Sequence, residues 1–282
     1  MEQLSESARL VHRNNIDLIE IDNRWSTATI SLFGGHILSY VPKSDGRDRL
    51  WVSDAAIMDG SKAIRGGIPI CWPWFGDLHG QADTSLPSHG YVRNQTWRII
   101  HIQESDTGTQ LQLAPSCVQG KGFLGEASLL LDVHVGDELC ISLITKNLGD
   151  ASLSYTAALH TYFAVDDIKH TELTGLSGEY KDKTQQFAIF QTPEPYRFSA
   201  ETDRVHLCQP SSLSINNNDK HTLVHSEGHD SIVVWNPWAD KSTSMADMTN
   251  EGFRNMLCVE TAVTTTKVVA PNEKHVIVQR IR

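Results

Sequence analysis

Apolar and polar residues alternate in short runs along most of this chain, and Gly, Asn, Asp and Pro repeatedly interrupt them. A period of two between frequent turn residues predicts β-strands. The clearest case is 129–143. Leu129, Leu131, Val133 and Val135 share one face, Leu139, Ile141 and Leu143 share a face of the next run, and Gly136 with Asp137 supplies a turn, so this stretch predicts a hairpin. Similar runs predict strands at 18–21, 28–33, 97–102, 231–235 and 275–281. Few stretches carry a helical period. The pattern is all-β. With no internal repeat and no low-complexity linker, residues 1–282 are expected to form one domain, within the size range of a large β-sandwich.

Two stretches break this rhythm. Residues 64–90 are rich in Gly, Pro and aromatics, and 238–255 are polar, with one turn of helix expected near the end. Long irregular loops usually carry function or cover a site. The first twenty or so residues hold no motif and are assigned nothing.

Composition narrows the function classes. No apolar run approaches the ~18 residues of a membrane span, so no membrane partner is expected. The start of the chain is acidic where a secretory signal would be basic and then apolar, which leads us to expect a cytoplasmic protein. The formal net charge of −10 argues against nucleic acid, and it requires a local cationic cluster for any anionic ligand. Cys71, Cys117, Cys140, Cys208 and Cys258 are odd in number and scattered, suiting reduced, mostly buried thiols rather than a zinc site or disulfide framework. Asn94-Gln95-Thr96 matches a glycosylation acceptor, which we read as chance in a chain without a secretion signal.

The candidate chemistry lies in four places. Read as one strand, 153–165 puts Leu153, Tyr155, Ala157, Leu159, Phe163 and Val165 on an apolar face, and His160 on a small, polar face with Ser154, Thr156, Ala158 and Tyr162. That second face could line a pocket, or His160 could be half exposed on a solvated strand. In 256–263 a single carboxylate, Glu260, interrupts an apolar run. It must be paired, used, or turned to water on an edge. Arg65 precedes Gly66-Gly67, which allow close approach of backbone to a ligand or a turn with positive φ, and Arg93 follows Ser88-His89-Gly90. Two such arginines could hold a phosphate or form ordinary surface ion pairs. Neither glycine pair fits a nucleotide phosphate loop. Trp235 and Asp203 suit sugar recognition, through stacking on C–H faces and hydrogen bonds from hydroxyls, although a tryptophan ending a β run is often simply core.

Taken together and in this order, Arg65-Gly66-Gly67-Ile68-Pro69, His89-Gly90-Tyr91-Val92-Arg93, Ala158 to Phe163, Thr202-Asp203-Arg204-Val205, Trp235-Asn236-Pro237-Trp238 and Cys258-Val259-Glu260-Thr261 resemble the hexose-6-phosphate mutarotase branch of the aldose 1-epimerase, or galactose mutarotase-like, superfamily. The resemblance implies a large antiparallel β-supersandwich with few short helices, binding a hexose 6-phosphate on its concave face. It implies His160 as catalytic acid and Glu260 as base, Arg65 and Arg93 on the phosphate side, and His89 and Asp203 in the sugar pocket. Ser88 stands where some relatives carry an amide, so its side chain is assigned no contact. Such ring opening needs only one acid and one base, so neither cofactor nor metal is expected. Glu260 is expected ionised and His160 protonated at the start. The sequence leaves the oligomeric state open, a monomer included.

Two other functions compete. A glycoside hydrolase could use Glu260 and Asp203 as its carboxylates, leaving His160 without a role. A sugar-phosphate binding or sensing domain could use the same pocket without turnover.

Overall fold

In the computed structural model, which describes residues 2–77 and 85–282, the alternation at 129–143 becomes the paired strands Ala127–Gly136 and Leu139–Asn147. Val135 faces Leu139, Val133 faces Ile141 and Leu131 faces Leu143 across the ladder, and all six are buried. Each such side chain contributes about 1.5–3 kcal/mol by leaving water, so register here is set by which face is apolar.

The strands form three antiparallel sheets of five, nine and eight strands, meeting the all-β expectation. The five-stranded sheet is a meander from Glu2–Gln3 to His36–Pro42. It includes Ala8–Arg13, in the stretch where no motif was legible. The nine-stranded sheet contains the hairpin above and the strand Lys274–Ile281. One continuous core joins its inward residues, such as Leu131 and Ile141, to Leu159, Val234 and Val259 of the eight-stranded sheet and to Ile19 and Ile30 of the meander.

The centre of the eight-stranded sheet is buried on both faces. All six residues of Ser231–Asn236 and the first eight of Met256–Val269 are buried. Leu257, Val259 and Val263 enter the main core, while Met256, Cys258 and Ala262 pack on the opposite face. A strand covered on both sides reads as a continuous apolar run. Glu260 is therefore an interior residue, neither on an edge nor turned to water.

Three expectations need correction. The segment 153–165 is two strands, Leu153–Leu159 and Tyr162–Ala164, with His160 and Thr161 between them; the predicted faces nevertheless hold, because the break preserves register. The loop 238–255 ends in a 3-10 turn, Gly252–Asn255, as expected, but also begins with a helix, Trp238–Ser244, whose polar residues carry no apolar period. Of the five thiols only Cys71 and Cys258 are buried, and Cys117 is exposed. Residues 78–84 of the 64–90 loop lie outside the described residues.

Candidate active site

Strand register assembles the site. Asp203 pairs with Trp235, Trp235 with Cys258, and Cys258 with Tyr162, making one row across four strands. In the next row Val205 pairs with Val233, and Val233 with Glu260. Beyond Glu260, Leu159 pairs with Thr261 and Tyr162 with Cys258. This common register sets His160 opposite Glu260 and Thr161 opposite Val259.

The rung carrying His160 is not an ordinary ladder pair. The His160 N–H donates to the Pro69 carbonyl at 3.1 Å, and the Thr161 N–H turns back to the Leu159 carbonyl at 3.0 Å. His160 Nδ1 lies 3.4 Å from Glu260 Oε1. The imidazole stacks on Tyr162, with ring centroids 5.0 Å apart and planes within 8°. Both members of the pair are buried, Glu260 almost completely at 1 % exposure. His160 Nδ1 and Glu260 Oε2 have no hydrogen-bond partner, a costly arrangement for interior polar atoms.

Burial raises the Glu260 carboxyl well above its usual range; the charge of Asp203 raises it further, while Lys183 and Arg93 oppose the shift. Burial lowers His160 well below its usual value, reinforced by His89, Arg93 and Arg65. Both shifts act against the charged forms, and so against the expected starting charges. The cause is removal of both groups from water without hydrogen bonds that would favour their ions.

A cavity of about 140 Å³ opens over the pair, walled by Arg65, Phe75, His89, Tyr162, Lys183, Asp203, Val233 and Trp235. A larger cleft of about 530 Å³ shares the Phe75 wall, but among the described residues Asp77 is the only carboxylate, imidazole or cationic side chain lining it. We place the chemistry in the smaller cavity.

His89 has φ 65°, and its N–H donates to the Gly76 carbonyl at 2.7 Å. The Gly76 N–H donates to His89 Nδ1 at 3.2 Å. An accepting Nδ1 puts the proton of the neutral ring on Nε2. Burial holds His89 neutral, helped by the charges of Arg93, Lys183 and Arg65.

Arg65 reaches the cavity wall already bound. It donates through Nε and Nη2 to Asp247, both at 3.2 Å, and through Nη1 to the Tyr162 hydroxyl at 3.0 Å. The glycines after it answer to the fold rather than to a ligand. Gly66 has φ 117° and Gly67 φ 59°, and a Cβ would stand 2.4 Å from the Trp51 carbonyl oxygen at Gly66 and 2.3 Å from that of Ile37 at Gly67.

Arg93 does not line the cavity. Its Nη2 donates to the Ser88 carbonyl at 2.9 Å, while Nε is buried without a partner. Ser88 is thus engaged through its backbone. The cationic side chains lining the cavity are Arg65 and Lys183, whose Nζ lies 3.1 Å from Asp203. Lys183 carried no sequence signal, because a lysine in the polar turn Lys181-Asp182-Lys183 is ordinary. Burial raises the Asp203 carboxyl, and the Lys183 ammonium opposes that shift. Trp235 is both buried and on the wall, its ring edge-on to His160 with centroids 6.2 Å apart.

Ligand atoms of His160, Cys258 and Glu260 lie within 4.8 Å of one another. As a cation site this trio is poorly matched to its surroundings. The Cys258 thiol is raised well above its usual range by burial and by Glu260, and the charges of Arg65 and Arg93 are felt at the pair.

The family model described as "Aldose 1-epimerase" matches residues 17–282. A protein of Escherichia coli (strain K12) named "Putative glucose-6-phosphate 1-epimerase" is 33% identical over 290 residues, covering 100% of this chain and 95% of that protein. A solved structure from Salmonella typhimurium, described as "a putative mutarotase", superposes with TM-score 0.91 at 30% identity, covering 100% of this chain and 95% of the other. A galactose mutarotase-like protein from Clostridium acetobutylicum shares the fold with TM-score 0.74 at 13% identity, covering 98% and 97%.

Proposed function

The chain belongs to the aldose 1-epimerase family, and from that premise we propose that it interconverts the α and β anomers of a hexose 6-phosphate, glucose 6-phosphate in the first instance. The observation that carries this reading is the cross-strand pair, with His160 Nδ1 3.4 Å from Glu260 Oε1 beneath a small cavity. Opening a pyranose ring requires removal of the proton on O1 and delivery of one to the ring oxygen. The open aldehyde turns about C1–C2 and recloses with the proton transfers reversed. One acid and one base suffice, each contributing about 10²–10⁴-fold.

The remaining wall residues have roles suited to this chemistry. Trp235 offers an aromatic surface to the C–H side of the sugar. His89 Nε2–H donates to a hydroxyl, and Asp203, held by Lys183, accepts from one. Arg65 and Lys183 place cationic donors on the wall, each already paired with a carboxylate, Asp247 and Asp203, and they are the groups through which an anionic substrate is held in a protein of net charge −10. Two relatives bear names consistent with this substrate.

The test is two-dimensional exchange NMR on glucose 6-phosphate and on free glucose. Accelerated exchange of the phosphorylated sugar, with weaker action on glucose, is the expected result. No acceleration of either would favour binding without turnover, and equal action on both would remove the phosphate from the proposal.

A further inference from the structure

On the face of the sheet opposite the cavity, the residues following His160 and Glu260 are both threonines, Thr161 and Thr261, and one glutamine from the facing sheet binds both. The Thr161 hydroxyl donates to Gln279 Oε1 at 2.5 Å, and Gln279 Nε2 donates to Thr261 Oγ1 at 2.8 Å. Ser226, which pairs with Gln279 across its own ladder, lies with Oγ 2.8 Å from Thr261 Oγ1. Gln279, Thr161 and Thr261 are each 0 % exposed.

The glutamine also repairs the broken rung. Because the Thr161 N–H turns back to Leu159, it does not supply the hydrogen bond that the opposite Val259 carbonyl would receive in a regular ladder. The Val259 N–H still donates to the Thr161 carbonyl at 3.2 Å, and Gln279 Nε2 donates to the Val259 carbonyl at 3.3 Å. An amide side chain thus stands in for a missing backbone donor at the point where the strand departs from regular geometry to present His160. A regular rung with an apolar residue at 279 would satisfy the backbone equally well, so hydrogen-bond satisfaction alone does not call for this arrangement.

We propose that Gln279, acting through Thr161 and Thr261, is a positioning residue that fixes the His160 imidazole and the Glu260 carboxylate relative to each other for anomer exchange. The inference rests on the acid and base reading above. The three side chains touch neither cavity nor substrate. Their effect is to hold two adjacent strands at one separation and one break geometry, and a displacement of about 1 Å can cost about a hundredfold in rate.

The experiment compares wild-type protein with Thr161→Val/Thr261→Val/Gln279→Met, which replaces the three polar side chains by apolar ones of similar size. Removing the three together leaves the Ser226 hydroxyl and the Val259 carbonyl without those partners, so a modest loss of stability is expected. The expected triple variant folds with a lowered Tm, and at a temperature where it is fully folded has kcat about ten- to a hundredfold lower, KM within about twofold, and altered limbs in its pH–rate profile. Thr161→Ser, which keeps the hydroxyl, should retain wild-type kcat, whereas Thr161→Val should not; these single variants decide the matter if the triple variant fails to fold. Undiminished kcat in the triple variant, or in Thr161→Val, overturns the positioning role alone. Wild-type protein without anomer exchange overturns the parent reading, and this inference with it.

Discussion

Arg65 arrives at the cavity held by Asp247, with two of its nitrogens 3.2 Å from the carboxylate oxygens. The guanidinium is oriented before any ligand is present, and its Nη1 bond to Tyr162 ties it to the ring on which His160 stacks. Arg93 is differently placed: off the cavity wall, and acting through its field on His89, His160 and Glu260. The two arginines should therefore separate in their effects. Arg65→Met is expected to raise KM for glucose 6-phosphate about tenfold, the loss of one charge-assisted contact, while leaving free glucose within about twofold. Arg93→Met should alter kcat alike for both sugars. Steady-state rates on the two substrates check this, and uniform loss from Arg65→Met would remove it from the phosphate contact.

Glu260→Gln and His160→Ala should each lower kcat for anomer exchange about a hundredfold or more, because each removes one of only two proton carriers. Far-ultraviolet circular dichroism should be unchanged, since Glu260 makes no hydrogen bond that fixes the strand. Retention of rate in either variant would mean that another group performs that proton transfer.

The Glu260→Gln variant should also be more stable than wild type, by an amount that depends on pH. A carboxyl raised above its ordinary value of 4.5 by burial binds its proton more tightly in the folded protein. As pH rises above 4.5 the unfolded chain ionises freely while the folded one resists, so wild-type stability falls through that window. The difference in Tm should be small near pH 4.5 and grow toward pH 8. A difference independent of pH would show that the carboxyl is not destabilised by burial.

Gly67→Ala should destabilise by about 2 kcal/mol or more, measured by urea unfolding. Gly67 has φ 59°, and a methyl group would meet the Ile37 carbonyl oxygen at 2.3 Å. Left-handed backbone alone costs an alanine about 1–2 kcal/mol, and the clash adds to it. Because the same turn aims Arg65, any folded variant should also bind glucose 6-phosphate more weakly.

Most of the sheet was legible from alternation, because burial on one face of a strand writes itself into every second residue. The hairpin at 129–143 appears with the expected faces, and the apolar run around Glu260 is a strand, although its cover on both sides is shown only by the structure. Short features escaped where no periodicity exists to read. The helix Trp238–Ser244 has 7 residues and one buried side chain, and Lys183 sits in a turn of common composition.

The chain by itself determined the fold class, the strand faces, a costly carboxylate at Glu260 within an apolar run, and a histidine, His160, on a small polar face. Only the tertiary structure decided that they are neighbours, because that depends on antiparallel register between strands distant along the chain. It also decided that Arg65 and Lys183, rather than Arg65 and Arg93, share the cavity wall, since the direction in which a loop side chain points follows from packing and not from its type. The protonation of the pair was likewise beyond sequence. It follows from how completely the cavity-wall side chains, Phe75 and His89 among them, remove both groups from water.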